Sequence, residues 1–509
     1  MEILAFVLYF VAMIGIGIFF FFKNKSATEK DYFLGGRAMG PWVTAMSAQA
    51  SDMSAWLLMG LPGSILAFGF GQAWIGIGLA IGTAANWILV AKRLRKFSKA
   101  SGDAITLPQY LSNRFLSKSH TLSIICAVVF LVCFTIYVAS AFVAGADVFT
   151  SLTTLDRSDA MLIFAAIVIV YTFLGGFNAV CWTDFFQGLL MIAALLIVPI
   201  VVGITRDLDP AALATVYQGP KGEEFAFVAN FFNASWKDIV SGLGWGLGYF
   251  GMPHIIVRFM AIEKPSMVKK SATVAIIWVV LSLAATIVIA YFGRMFIYAD
   301  GRDLSMELLS QGKQSLIFIE LARDVFPAFI AGLLLAAIIA ASMSTADSQL
   351  LVAASSFASD LYKPIIRKQA SNKEMLWVSR IVVLVIAVVA YFIASSKGQA
   401  AQAIMDLVSN AWGIFGAAFG PVVLLSLFWK RFTYKGAVAG IIVGAAVDML
   451  WLWLPIGGAT LTASTGIYEI IPGFIIGGIA AIVVTLIDKA PSKEVEAIFA
   501  TATDNSIDD

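Results

Sequence analysis

Charge is what this 509-residue chain has least of: 13% of its residues are Asp, Glu, Lys or Arg, against about 25% in an ordinary soluble protein. With 60% of residues hydrophobic, that shortage excludes a soluble globular protein. Cysteine is scarce too. Cys126, Cys133 and Cys181 fall in apolar runs with neither CxxC nor metal-ligand spacing, so neither a disulfide framework nor a zinc site is implied. The two histidines, His120 and His254, have no partners at a spacing that a catalytic constellation would need. There is no phosphate-binding glycine loop, which excludes an ATP-driven pump. The N-terminus lacks the basic leader and small-residue cleavage site of a signal peptide and reads as a retained helix. No short-period repeat, low-complexity tract or separate soluble domain interrupts the chain. The net charge of +2 says little, because placement matters more than the sum.

What is present is a series of apolar runs, each about 20 residues long, the length that crosses a bilayer as a helix. Thirteen are expected, near 3–22, 42–66, 70–91, 121–149, 160–177, 179–203, 238–257, 273–298, 327–356, 376–395, 402–428, 435–454 and 466–487. The chain therefore reads as an all-α polytopic membrane protein. With the N-terminus outside, 25 of the 34 Lys and Arg fall in cytoplasmic segments, namely 23–37, 92–118, 258–270, 363–380, 430–435 and 489–493. The positive-inside rule then puts the C-terminus in the cytoplasm. By the same rule Arg258 counts as a loop residue, and the basic stretch 92–99 is a topology-setting loop beside anionic lipid rather than a nucleic-acid patch.

Three runs carry residues that lipid would reject. In the second, Ala48-Gln-Ala-Ser-Asp-Met-Ser-Ala-Trp56 clusters an amide, two hydroxyls and Asp52. A charge at the bilayer centre costs roughly 2.5–3.5 kcal/mol, so the cluster faces a wet cavity or holds an ion; the alternative is a structural Asp52 that pairs with a distant base or caps a broken helix. In the seventh, Ser241-Gly-Leu-Gly-Trp-Gly-Leu-Gly-Tyr-Phe-Gly-Met-Pro-His254 is too rich in glycine to stay a regular helix, and its proline removes a donor. Trp245 and Tyr249, four apart, can line one pocket. Tight helix packing on glycine is the competing explanation. In the ninth, Ala341, Ser344 and Thr345 stand at i, i+3 and i+4 on one face. Their oxygens suit a monovalent cation, unless the hydroxyls merely bond back to their own helix. Asp347 follows them, and Asp184 opens the sixth run. If these two carboxylates meet, they hold a proton or share a cation, since like charges resist joint ionisation. Exposure at the membrane interface is the alternative for Asp184. Asp448 has no role beyond a structural one.

The second and seventh runs are both interrupted and lie five spans apart. Two sets of five spans, 41–203 and 238–428, then form inverted halves, because an odd-numbered repeat reverses its orientation. Paired broken helices of this kind mark a midplane site for substrate and ion. An ion channel would need a continuous pore, and an enzyme or sensor would need loops or catalytic groups that this chain lacks.

Several blocks then carry a resemblance. Asp31-Tyr-Phe-Leu-Gly-Gly-Arg37, Ala50-Ser-Asp-Met-Ser-Ala-Trp-Leu-Leu-Met-Gly60, Phe134-Thr-Ile-Tyr137, Gly244 to His254, Met343-Ser-Thr345, Phe415-Gly-Ala-Ala-Phe-Gly-Pro421 and Tyr468-Glu-Ile-Ile-Pro-Gly-Phe474 resemble the sodium/solute symporter family, and within it the bacterial carriers of proline. The resemblance spans nearly the whole chain. It implies a LeuT-like 5+5 inverted-repeat core at 41–428, preceded by one helix and a cytoplasmic loop at 1–40 and followed by two helices and a tail at 429–509. It implies one sodium ion bound by the carbonyls of Ala50, Met53 and Ala341 and the hydroxyls of Ser344 and Thr345, with Asp52 raising cation affinity from beside them. L-proline would sit near Ser54, Ala55, Tyr137, Trp245, Tyr249 and Pro253, and Arg37 would act in coupling at the cytoplasmic end. Ala55 and Met252 depart from the family pattern, which has glycine and glutamine there, so another amino acid, a monocarboxylate or a sugar is the alternative substrate. Where Asp347 stands, some relatives use a serine in a second cation site. The expected location is the bacterial cytoplasmic membrane.

Overall fold

The computed structural model describes residues 1–23, 29–174, 176–396 and 403–504. Its apolar runs are helices because lipid offers no partner to a backbone amide, and a helix satisfies its own. In chain order they are α1 (Glu2–Lys23), α2 (Pro41–Asp52), α3 (Gly60–Phe68), α4 (Phe70–Ala85), α5 (Thr121–Leu152), α6 (Arg157–Leu174), α7 (Phe177–Thr205), α8 (Trp236–Gly244), α9 (Pro253–Ala261), α10 (Val268–Met295), α11 (Ala328–Ser356), α12 (Asn372–Ser396), α13 (Ala403–Phe428), α14 (Tyr434–Trp453), α15 (Ile470–Ile487) and α16 (Lys493–Thr503). Among the described residues, ten helices are long and apolar enough to cross a membrane. The broken pairs α2–α3 and α8–α9, together with α6, supply the other three expected runs. Two two-residue β ladders, Tyr217–Gln218 with Glu224–Phe225 and Pro455–Ile456 with Ala459–Thr460, lie in loops.

The breaks have local causes. Pro41 and Pro253 each stand at a first helical turn, where the missing N–H costs nothing. Helix α2 stops at Met53, and Ser54 takes extended backbone and caps the next turn by accepting from Trp56 N at 3.2 Å. Helix α8 runs into a tight 3-10 turn over Trp245–Phe250, and Met252 is extended before α9 begins. Each broken pair opens a set of five spans, α2 to α7 and α8 to α13, and the two breaks pack together through α2 and α9. Long helices α11 and α13 are the most enclosed.

The glycine-rich stretch is both a break and a packing surface. A Cβ on Gly246 would come within 2.4 Å of Gly78 O, and one on Gly248 within 2.0 Å of Trp412 Nε1. The two explanations that the sequence set against each other therefore hold together: the same glycines that loosen the helix let α4 and α13 close on it. Helices α14 and α15 pack on each other and on α13. Helix α16 lies against the extension of α4 (Lys92–Ala100), with Phe499 edge-on to Phe97.

Candidate functional site

The last carbonyls of a helix lack intrahelical partners and carry its partial negative charge. At the α2 break they face α11. Ser344 Oγ stands 2.7 Å from Ala50 O and 3.2 Å from Ala341 O, donating its one proton between them. Thr345 Oγ1, next along α11, is buried and has no hydrogen-bond partner. Of the five expected ion ligands, Ala50, Ala341 and Ser344 thus share one small volume, with Thr345 adjacent and Met53 at the point where α2 ends. Oxygen donors that outnumber protons are what a monovalent cation completes.

Asp52 ends α2 and is buried, its Oδ2 accepting from Tyr249 Oη at 2.6 Å. A hydrogen bond to a charged group contributes about 1.5–3 kcal/mol, so this bond ties the ion end of α2 to the turn after α8. Tyr249, Tyr137 and Trp245 line a cavity of about 10 Å³ together with Asp52, Trp56 and Trp412. Ser54, Ala55 and Pro253 are buried close by but do not line it. The cavity is closed by a stack of aromatic rings: Trp245 lies 5.5 Å from Trp56, 5.1 Å from Tyr468 and 6.4 Å from Trp412. Beyond Trp245 and Tyr468 opens a vestibule of about 350 Å³ lined by Asp238, Asp406, Asn410 and Glu469.

At the opposite end Arg37 ties several segments together. The chain turns through Gly35, Gly36 and Arg37 with φ of 60°, 64° and 57°, a left-handed run that glycine permits and Arg37 enters at a cost. The guanidinium is buried; it donates to Met260 O at 2.5 Å, Ala104 O at 2.7 Å and Ser98 Oγ at 3.0 Å, and lies 2.8 Å from Asp103. It thereby joins the ends of α9 and the α4 extension to the start of α2. Burial lowers its pKa to about 10, with Arg95 acting the same way and Asp103 against. Burial raises the Asp103 carboxyl, but the Lys30 hydrogen bond and the Arg37 charge outweigh it and hold the group below its usual range.

Asp184 and Asp347 are both fully buried, which removes the interfacial alternative for Asp184. Between them stands a residue that the charge rule had assigned to a cytoplasmic loop. Arg258, on α9, is buried because α9 begins only at Pro253 and carries its sixth residue into the bundle. Its Nη2 donates to Asp184 Oδ2 at 3.1 Å and to Ser348 Oγ at 2.5 Å, its Nε to Ser47 Oγ at 3.1 Å and its Nη1 to His254 O at 2.5 Å. Ser47 Oγ donates to Asp184 Oδ2 at 2.6 Å, and Ser348 Oγ lies 3.3 Å from Asp347 Oδ1. Asp184 Oδ1 and Asp347 Oδ2 have no hydrogen-bond partner. The cluster holds two acids and one fixed cation.

Sequence reasoning missed Arg258, Ser348, Trp56 and Trp412 as site residues. Trp56 lay inside a quoted block, and Arg258 stands one helical turn past His254, at i+4. Tryptophans in apolar runs give no distinguishing signal.

Two broken helices crossing inside a bundle, with bare oxygens at one break and an aromatic-walled cavity at the other, define a class: solute carriers that work by alternating access. The sodium:solute symporter family model matches residues 32–444, and this chain belongs to that family. It is 44% identical to the sodium/proline symporter of Escherichia coli K12, over 98% of this chain and 96% of that protein. It is 42% identical to the high-affinity proline transporter PutP of Bacillus subtilis 168, over 95% and 97% of the two chains, and 41% identical to the osmoregulated proline transporter OpuE of the same organism, over 97% and 96%. Among solved structures, a substrate-bound outward-open Na+-coupled sialic acid symporter superposes with a TM-score of 0.76 at 20% identity, over 96% of this chain and 98% of that one. Mhp1, a nucleobase-cation-symport-1 family transporter in a closed conformation, gives 0.54 at 14% identity, over 92% and 97%. These two establish the shared LeuT-type fold.

Proposed function

We propose that this protein carries L-proline across the bacterial cytoplasmic membrane, driven by sodium. The observation that carries the ion assignment is Ser344 Oγ held between Ala50 O and Ala341 O at the end of α2, beside a Thr345 hydroxyl with no partner. Sodium there takes the carbonyls of Ala50, Met53 and Ala341 and the two hydroxyls, and Asp52 supplies nearby negative charge. The proline substrate is supported by the relatives, whose names state it over nearly their full length.

Proline enters from the vestibule past Trp245 and Tyr468. Its carboxylate approaches the α2 break near Ser54 and Ala55, and its ring packs on Trp245, Tyr249 and Tyr137, with Pro253 beneath. The cavity of about 10 Å³ must widen to admit it, so the aromatic stack parts as the substrate binds. Ion binding fixes α2 against α11 and so fixes the wall that proline meets. Release to the cytoplasm requires the Arg37 latch to open. Inward movement of one sodium gains about 2.3 kcal/mol per 100 mV of membrane potential. The N-terminus lies outside and the C-terminus inside; the ten-helix core runs over 41–428, with 1–40 and 429–509 flanking it.

Asp184 and Asp347 carry a proton rather than a second transported ion. Arg258 offsets Asp184, and a proton on Asp347 leaves the cluster neutral. The second reading, another small solute, rests on Ala55 and Met252, which depart from the family pattern beside the site. Radiolabelled proline uptake into proteoliposomes decides between them. Sodium-dependent uptake of proline is the expected result. Sodium-driven uptake of another solute without proline would overturn the substrate and keep the coupling.

A further inference from the structure

A third group of buried acids lies away from both clusters described above. Asp448, on α14, is fully buried, and neither of its carboxylate oxygens has a hydrogen-bond partner. Glu469, at the start of α15, is buried beside it and accepts from Thr462 Oγ1 at 3.1 Å. Both acids converge on Gly413 of α13. A Cβ built there would lie 3.0 Å from Asp448 Oδ2, 3.5 Å from its Oδ1 and 3.4 Å from Glu469 Cγ. Among the described residues, neither carboxylate has an ion-pair partner.

We propose that Asp448 and Glu469 form a proton-binding site on the vestibule side of the bundle, the two acids together holding one proton. Two carboxylates in a low-dielectric site resist joint ionisation, and a buried carboxylate with no donor is costly. A proton answers both at once, because it neutralises the unpartnered buried acid and leaves only one charge at the pair. An alkali ion would need a shell of oxygen donors and room for it. The backbone of Gly413 presses on Asp448, and Gly473 presses from the other side, where a Cβ would lie 3.1 Å from Asp448 Cβ. Glu469 lines the vestibule and Asp448 does not, so the proton enters through Glu469.

The other titratable groups near the pair are Tyr468, on the same turn as Glu469, and Cys133 on α5. Of the charged groups on neighbouring elements, Asp406 and Asp238 line the vestibule and Lys237 lies against Gly466. Loss of the proton places a second negative charge between α14 and α15 and drives them apart. Tyr468 moves with Glu469, and its ring stacks on Trp245 at 5.1 Å and its hydroxyl donates to Ser409 O at 2.7 Å. External alkali therefore loosens the aromatic layer over the substrate cavity. This consequence for transport rests on the function proposed above; the proton site itself does not.

Infrared difference spectra of the full chain in lipid, titrated with acid and base, test the site. Beside the band of the Asp347 proton proposed above, a second protonated-carboxyl band is expected at neutral pH, present also in an Asp347→Asn background, lost on Asp448→Asn and altered by Glu469→Gln. In proteoliposomes, the apparent proline affinity of the wild-type chain is expected to fall as external pH rises, and Asp448→Asn, which mimics the protonated acid, is expected to abolish that fall. No band in the Asp347→Asn background that either substitution affects, or one displaced there by sodium at constant pH, would overturn the proton assignment. An unchanged pH profile in Asp448→Asn would overturn the link to the aromatic layer. If proline uptake itself is absent, the infrared result still decides the site.

Discussion

Helix α11 carries two buried polar clusters within one turn of each other, and they are built on opposite plans. Ser344 and Thr345 face the broken end of α2, where oxygens outnumber protons and no fixed cation is near. Asp347 and Ser348 face α7 and α9, where Arg258 is already in place. The first arrangement leaves a positive charge to be supplied from solution, and the second supplies most of its own. A mobile ion needs weak, neutral ligands that can release it, whereas a permanent guanidinium can be held by carboxylates for the life of the fold. Proximity along the helix therefore does not make the two clusters one ion site.

The largest expected effect breaks the second cluster. Arg258→Met leaves Asp184 buried without its counter-charge, a change that costs about 3–5 kcal/mol. Thermal unfolding in detergent should show a marked loss of stability, restored in large part by adding Asp184→Asn. Wild-type stability in the single variant would mean that the pair is not what holds α9 against α7. Next is the first cluster. Ser344→Ala and Thr345→Ala each remove an oxygen ligand, and at about 1.5 kcal/mol or more for a charge-assisted contact the sodium concentration for half-maximal uptake should rise about tenfold. Stability should change little. Unaltered sodium dependence in both variants would move the ion elsewhere. Asp52→Asn should also weaken sodium affinity, by less, since the carboxylate acts from beside the ligands and the amide can still meet Tyr249. Sodium titration of proline binding reads this, and an effect larger than that of Ser344→Ala would make Asp52 a direct ligand. The smallest effect belongs to the proposed Arg37 latch. The Lys30–Asp103 contact is part-exposed, worth about 0–1 kcal/mol, so Lys30→Ala should leave uptake near normal. Arg37→Ala, which removes four contacts, should slow turnover with little change in sodium affinity. Equal effects of the two would argue against the latch.

The spans were legible because lipid demands about 20 apolar residues from each helix, and both breaks were legible because Ser54 and the glycines of 242–251 contradict a regular helix. The face that carries Ser344 and Thr345, proposed here as cation ligands, was legible from their spacing with Ala341. Arg258 was not, because the positive-inside rule counts a basic residue at the end of a run as loop, while Pro253 sets the start of α9 late enough to pull Arg258 into the bundle. The aromatic layer was half visible. Trp245 and Tyr249 shared a face by periodicity, but Trp56 and Trp412 join them only through the crossing of segments 189 and 167 residues away from Trp245, which no local pattern records. Asp448 and Glu469 stand only 21 residues apart, but on successive helices whose packing alone brings them together.

The contrast between the two clusters on α11 is tested most directly by transport stoichiometry, read from reversal potentials of proline flux in proteoliposomes. The account predicts one sodium per proline in the wild-type chain and the same ratio in Asp347→Asn. A ratio of two that falls to one in Asp347→Asn would place a second transported ion beside Arg258 and contradict it.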